Sequence, residues 1–121
     1  MGISFGGVGG SGGSNIPESW ITATYATGWG SYNPSTSNVC QYLKDSMGFV
    51  CIRGTVRYTS GGTDVIFTLP AGYRPTKRNS FPTIADSLGE HVNVSADGTV
   101  ELATGTGTNY VTLDGIRFDT R

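Results

Sequence analysis

The stretch KDSMGFVCIRGTVRY, residues 44–58, decides the fold class of this chain. From Phe49 to Tyr58 its side chains follow the two-residue period of a β-strand, in which successive side chains point to opposite faces. The face predicted to lie toward the core carries Val50, Ile52, Gly54 and Val56, and the other face carries Phe49, Cys51, Arg53, Thr55 and Arg57. Just before this strand, Asp45-Ser46-Met47-Gly48 has the form of a type I turn closed by a left-handed glycine. The stretch therefore predicts a turn and the strand that follows it in a β-hairpin.

Short β-patterns continue on both sides of this stretch and are separated by turn residues. Including residues 49–58, the predicted strands cover residues 20–25, 39–43, 49–58, 65–69, 81–85, 91–94, 99–102 and 110–118. Turns are predicted at residues 60–63 and 95–98, and no stretch has a convincing helical period. About eight short strands with regular turns are typical of an all-β fold. We therefore predict an antiparallel β-sandwich or jelly roll.

The composition is that of a small β-domain without a basic surface. The chain has 121 residues, enough for one domain, and only 14% of them are charged, which argues against a coiled coil. The net charge is −1 and the Lys and Arg residues are dispersed, so nucleic acid is not an expected partner. No apolar run approaches the roughly 18 residues that span a bilayer, so membrane insertion is not expected.

The first residues are predicted to form a separate segment. Residues 1–14 contain seven glycines and cannot build a core, so residues 1–15 are expected to be a flexible linker or an added tail. Residues 16–121 are expected to form one folded head domain. The start of the chain lacks the charged and apolar regions of a secretory signal, so synthesis in a cytoplasm is expected.

The sequence contains no recognisable catalytic or metal-binding motif. His91 is the only histidine, and most aspartates fall at predicted turns, where their side chains cap the backbone. We expect no catalytic residue, no metal and no cofactor. Cys40 and Cys51 are too few for a disulfide scaffold, and a cytoplasmic origin favours free thiols, although the two residues could be cross-strand neighbours.

The aromatic residues provide the candidate binding site. Sugars stack their apolar faces on aromatic rings, while charged and amide groups hold the hydroxyls or an anionic substituent. The candidate stacking residues are Trp29, Tyr32, Tyr58 and Tyr73, and the candidate polar partners are Arg57, Asp64 and His91. Trp29 could equally be an anchor in the core or in a subunit interface.

An outward-facing aromatic pair suggests oligomerisation. Phe49 and Tyr42 are both predicted to point away from the core, at opposed positions of neighbouring strands. An exposed Phe on so small a domain implies that another surface covers it. A symmetric partner would bury this second apolar face.

Four segments in order resemble one protein family. They are KDSMGFVCIRGTV (44–56), IFTLPAGYRP (66–75), VNVSADGTV (92–100) and VTLDGIRF (111–118). With Trp20 and Gly28-Trp29, they resemble the C-terminal head domain of receptor-binding or tail-fibre proteins of tailed bacteriophages, especially those of Gram-positive hosts. The resemblance covers about residues 18–119. Cys51 departs from it, because the family often has a polar residue or His there.

The resemblance implies a non-catalytic adhesin at the tip of the virion tail. It implies a β-sandwich head that forms a homotrimer on an upstream fibre stalk or baseplate, and attachment to host cell-wall saccharides such as teichoic acids. The resemblance does not identify a sugar site, because the matched residues are of types that build the fold, whereas the family's receptor contacts lie in variable loops. Two alternatives remain. One is a structural trimerisation cap or C1q-like trimeric domain, and the other is a small tail-spike glycan depolymerase, for which no acid pair stands out.

Overall fold

The computed structural model describes residues 18–103 and 109–121, which form an all-β fold of antiparallel strands. The prediction of an all-β fold is confirmed, and no helix occurs in these two ranges. The predicted linker over residues 1–15 lies outside the described residues. The strands are β1 (Ile21–Thr22), β2 (Trp29–Ser31), β3 (Gln41–Lys44), β4 (Phe49–Arg53), β5 (Thr55–Tyr58), β6 (Val65–Thr68), β7 (Asn79–Ala85), β8 (Leu88–Val94), β9 (Thr99–Leu102), β10 (Val111–Thr112) and β11 (Ile116–Asp119).

The smaller sheet has four strands in the order β1-β3-β4-β11. Its centre is the β3–β4 hairpin, in which Tyr42 pairs with Ile52 and Lys44 with Val50. The predicted turn between these strands is confirmed. Asp45 Oδ1 accepts hydrogen bonds from the N–H of Met47 at 2.9 Å and of Phe49 at 3.0 Å, and Gly48 has a φ of 90°.

The larger sheet has seven strands in the order β2-β5-β10-β7-β8-β9-β6. Its two edges come together where Tyr25, just before β2, forms a bridge with Phe67 of β6. The N–H of Ala26 also donates to the carbonyl of Ile66 at 2.8 Å. These contacts bring the larger sheet close to a closed barrel.

Two predicted strands are divided between the sheets. The predicted strand 49–58 becomes β4 in the smaller sheet and β5 in the larger sheet, and the chain changes sheets at Gly54, which has a φ of 124°. The predicted strand 110–118 becomes β10 and β11, separated by a turn that ends at Gly115. The two crossings lie side by side, because the N–H of Leu113 donates to the carbonyl of Gly54 at 2.8 Å. One antiparallel strand pair therefore runs from one sheet into the other.

The core lies on the inner faces of the sheets and confirms the predicted inward face of residues 49–58. All four of its predicted residues, Val50, Ile52, Gly54 and Val56, are buried. The other large side chains that are fully buried are Ile66, Phe67, Leu69, Val92, Val94, Val100, Leu102, Val111 and Leu113.

The prediction that Tyr42 points outward is wrong. Tyr42 is 7% exposed, because its pairing with Ile52 places it on the inner face of β3. There its ring stacks on Phe67, with the centroids 6.1 Å apart and 15° between the planes.

Phe49 does lie on the outer face of β4, but this chain covers it. The Arg117 guanidinium lies 4.1 Å from the centre of the Phe49 ring, and that of Arg121 lies 5.7 Å from it. Guanidinium groups over an aromatic face are a favourable cation–π arrangement. The apolar surface from which oligomerisation was inferred is therefore partly covered without a second subunit.

The two cysteines are free thiols. Cys51 lies across from Leu43 and Arg117 in the smaller sheet, so Cys40 is not its cross-strand neighbour. Cys40 is fully buried, and this desolvation raises the pKa of its thiol to about 12. Among the described residues, no helix is long and apolar enough to cross a membrane.

Candidate functional site

The structure places Trp29 in the core. Its side chain is 7% exposed, and its indole Nε1 donates to the carbonyl of Thr63 at 2.7 Å. The edge of the Tyr58 ring packs against it, with the centroids 5.4 Å apart and 65° between the planes. Stacking on a sugar needs an accessible ring face, which Trp29 lacks, so this residue is an anchor of the core and not a stacking platform.

Tyr58 is half-buried beside Trp29 and holds a turn. Its hydroxyl donates to the carbonyl of Gly62 at 3.2 Å and accepts from the Gly62 N–H at 3.1 Å. The pairing of Trp29 with Tyr58 places both side chains on the inner face of the larger sheet. The hydroxyl and one side of the ring are therefore occupied by contacts within the chain.

Tyr73 links two distant segments. Its hydroxyl donates to the Glu18 carboxylate, with oxygen–oxygen distances of 2.8 and 2.9 Å. The hydrogen bond to Glu18 and desolvation raise the pKa of Tyr73 to about 12. Lys44 Nζ lies 5.4 Å from the ring centre and donates to the carbonyl of Gly72 at 2.7 Å. Tyr73 thus fastens the segment before β1 to the loop after β6.

Tyr32 and Arg57 lie together on the outer face of the larger sheet. Gly30 of β2 pairs with Arg57 of β5, and this face is opposite to the one that carries Trp29. Tyr32 follows on the same face and is 41% exposed. Its ring contacts Tyr110, with the centroids 5.3 Å apart and 46° between the planes.

The two tyrosine rings meet above β5. Tyr32 follows β2 and Tyr110 precedes β10, and β5 lies between these two strands. Thr55, on the outer face of β5, is only 9% exposed, as expected of a residue beneath the pair. We call the outer surface formed by Gly30, Tyr32, Arg57 and Tyr110 the tyrosine–arginine surface.

Within this surface, Arg57 is a free cation beside open space. Its side chain is exposed and makes no hydrogen bond or ion pair with other residues of ranges 18–103 and 109–121. Across from it, a Cβ added to Gly30 would have no atom within 4 Å. A planar group could therefore approach the strands beside the tyrosine rings and reach the guanidinium.

Asp64 and His91 are not part of this surface. Asp64 lies just before β6, where its carbonyl accepts from the N–H of Leu102 at 3.0 Å. His91 is exposed on β8, opposite Pro82. Because β8 is the third strand from β5, roughly 14 Å separates these two strands at the usual strand spacing, and His91 lies away from Arg57. Of the seven predicted residues, only Tyr32 and Arg57 lie on this surface, whereas Trp29 and Tyr58 contact each other on the inner face of the larger sheet.

Tyr110 and Gly30 are the members of the surface that sequence reasoning missed. Alternation along the predicted strand 110–118 puts Tyr110 on the face opposite Val111 and Leu113, and both of these are buried. That alternation was the available signal for Tyr110. Gly30 gave no such signal, because its contribution is the space that it leaves beside another strand.

The β7–β8 hairpin carries exposed apolar side chains. Ile84 is 45% exposed and Leu88 is 66% exposed. Ala85 pairs with Val111, so Ile84 shares the outer face of the sheet with Thr112.

Within the described part of the chain, no group of three or more His, Cys, Asp or Glu residues is placed to hold a metal ion. No protein family, curated protein or solved structure matches this chain.

Proposed function

We propose that this chain is a non-catalytic attachment head that binds cell-surface saccharides, on the tail fibre of a bacteriophage. The motif resemblance suggests the biological setting, and one structural observation supports the binding role. This observation is the tyrosine–arginine surface, in which two contacting rings lie beside a guanidinium that has no partner among the described residues.

The chemistry of this surface suits a sugar that bears an anionic group. The exposed ring of Tyr32 offers an apolar face for stacking. Arg57 can donate two parallel hydrogen bonds to a phosphate or a carboxylate, with no internal partner among the described residues to displace. The repeating phosphates of a teichoic acid in a Gram-positive cell wall would present such groups.

A surface this open would bind each sugar weakly, and multivalency would supply the strength. In the proposed assembly, the two sheets form a sandwich-like head that joins two copies of itself on a fibre stalk at the tail tip. Three weak sites on one trimer, and many trimers on one virion, raise the overall affinity without any new contact.

The test is binding of the intact protein to purified Gram-positive cell walls and to soluble poly(glycerol phosphate) teichoic acid. We expect Tyr32→Ala and Arg57→Gln each to weaken binding about tenfold or more. The first variant removes the ring on which the sugar stacks, and the second removes the positive charge that binds the anionic group. Gly30→Thr should do the same by filling the open space, although it changes neither the rings nor the cation.

Two matched controls should bind like the wild type. Arg78→Gln removes an exposed arginine outside the surface, and Gly89→Thr fills a different strand glycine whose added Cβ also meets no atom within 4 Å. Because Gly89 lies in the β7–β8 hairpin, light scattering must show that this variant has the same mass as the wild type. Equal binding by all the variants would exclude this surface as the site. Release of soluble wall fragments would instead favour a depolymerase.

The β7–β8 hairpin supports a second candidate function, that of a structural trimerisation cap. Leu88 and Ile84 are exposed apolar residues on opposite faces of this hairpin, because Leu88 pairs with the buried Ala85, and subunit interfaces bury such side chains. A stable trimer that does not bind wall polymer would favour this candidate over the adhesin.

A further inference from the structure

We infer that Asp86 is a positioning residue that holds Tyr110 against Tyr32 and so builds one wall of the tyrosine–arginine surface. The inference about ligand binding rests on the proposed function, whereas the positioning itself can be tested on the free protein. Asp86 lies in the turn between β7 and β8 and is 24 residues from Tyr110 in sequence.

The local backbone places the Asp86 carboxylate. Asp86 and Ser87 form the two-residue connection between Ala85 and Leu88, which pair with each other. Their φ angles of 51° and 70° are both left-handed, as a type I′ hairpin turn requires. Asp tolerates this conformation better than most residues, so the turn can carry an acidic side chain.

The carboxylate binds the backbone just before β10. Its Oδ1 accepts from the N–H of Asn109 at 2.8 Å and from the N–H of Tyr110 at 3.1 Å. Its Oδ2 accepts from the Asn109 N–H at 3.0 Å, and the Asp86 N–H donates to the carbonyl of Tyr110 at 3.2 Å. Asp86 therefore holds both the N–H and the carbonyl of Tyr110.

The position of Tyr110 depends on these hydrogen bonds, because this residue lies outside the paired strand residues. The strand β10 consists of Val111 and Thr112 only, and its pairing with β7 is limited to Val111 and Ala85. Without the carboxylate, the N–H groups of Asn109 and Tyr110 lose their acceptor. We expect the Tyr110 ring then to leave its contact with Tyr32.

The decisive variant is Asp86→Gly, with Asp86→Asn and Ser87→Gly for comparison. Glycine adopts a positive φ without steric cost, so Asp86→Gly keeps the hairpin turn while it removes the acceptor. Asn also suits this conformation and keeps one acceptor oxygen, so Asp86→Asn should retain most of the wild-type behaviour. Ser87→Gly changes the same turn and leaves the carboxylate in place.

Two measurements separate positioning from general stability. In NMR spectra of the free protein, Asp86→Gly should lose the Overhauser contacts between the Tyr32 and Tyr110 rings and shift the Tyr110 amide, while the core resonances remain. Binding of poly(glycerol phosphate) teichoic acid should weaken about fivefold or more in Asp86→Gly and stay near the wild-type value in Ser87→Gly.

The two hypotheses fail in different ways. Retained ring contacts in a folded Asp86→Gly protein would overturn the positioning role. Unchanged affinity in Asp86→Gly, with weakened affinity in Tyr32→Ala, would overturn its effect on binding. If the wild-type protein itself binds no wall polymer, the proposed function fails, and the ring contacts still decide whether Asp86 positions Tyr110.

Discussion

Gly54 is the residue at which the chain passes from one sheet to the other. Its φ of 124° lies in a region that side chains rarely adopt, and a Cβ there would lie 2.6 Å from both the Cys40 Cα and the Val39 carbonyl oxygen. Its N–H donates to Asp114 Oδ1 at 2.8 Å, which fixes the crossing next to the turn between β10 and β11. The close approach of three backbone segments therefore requires a residue without a side chain.

We predict that Gly54→Ala destabilises the fold by about 3 kcal/mol or more. The added methyl group meets backbone atoms, which cannot move aside as a flexible side chain can, and the strained φ adds to the cost. The free energy of unfolding in urea measures this effect. The matched control is Gly30→Ala, which should change the stability by no more than about 0.5 kcal/mol, because the space there is open. Similar losses for the two variants would contradict this account of the crossing.

At the scale of elements, the first strand is held more by side chains than by its ladder. The strand β1 has only two residues, which pair with Tyr42 and Gln41 of β3. Glu18, ahead of this strand, accepts from the Tyr73 hydroxyl and from the N–H of Lys44 at 3.1 Å. The Arg53 guanidinium lies 4.0 Å from the centre of the Trp20 ring. These contacts attach the start of the described chain to the body of the domain.

The hydrogen bond between Tyr73 and Glu18 predicts a stability that falls at alkaline pH. The pKa of Tyr73 is raised to about 12 in the folded protein, compared with about 10 for an unfolded tyrosine. The stabilisation is therefore complete below pH 10 and is lost as the pH rises toward 12, because the unfolded state ionises first. Urea unfolding at pH 7 and pH 11 measures this loss.

In Tyr73→Phe, this part of the alkaline loss should disappear, and stability at pH 7 should fall by about 1 kcal/mol, because Glu18 loses its donor. Glu18→Gln keeps an acceptor but removes the negative charge. It should therefore allow Tyr73 to ionise at a lower pH, which the absorbance of phenolate records. An alkaline loss of the same size in Tyr73→Phe and in the wild type would refute this link.

At the scale of the whole molecule, the two sheets share one strand pair, since β4 and β11 of the smaller sheet continue as β5 and β10 of the larger sheet. Partial cover of Phe49 by Arg117 and Arg121 weakens the original reason for expecting a second subunit at the outer face of the smaller sheet. The exposed side chains of Ile84 and Leu88 make the β7–β8 hairpin the better candidate for subunit contact.

We predict that the protein in solution has three times the 12.7 kDa mass of one chain, as measured by size-exclusion chromatography with light scattering. Leu88→Lys should reduce this mass to that of one chain, because a buried ammonium group is costly in an interface. Met47→Lys is the matched control, since Met47 is 63% exposed in a turn of the smaller sheet. A wild-type protein that remains a monomer would end the trimer proposal and would leave saccharide binding by a single chain to be tested separately.

The sequence by itself determined the fold class and the inward face of residues 49–58. Alternation in residues 49–58 and the turn at Asp45–Gly48 are local properties, because side-chain direction repeats every two residues and turn geometry depends on a few adjacent residues. The sequence also identified Tyr32, as an aromatic residue near a loop, and Arg57, on the predicted outer face, as candidate binding residues, but it could not place them together.

Only the tertiary structure decided which strands are neighbours, and the binding surface depends on that. Periodicity describes a strand's own two faces, whereas sheet order follows from burying all the apolar faces at once. Neither the proximity of Tyr32 to Tyr110 nor the contact of Asp86 with the start of β10 could therefore be derived from spacing. Likewise, only the packing of the whole core shows that Trp29 and Tyr42 are buried. Their sequence positions could not show this, because an aromatic side chain near a loop suits a buried site as well as an exposed one.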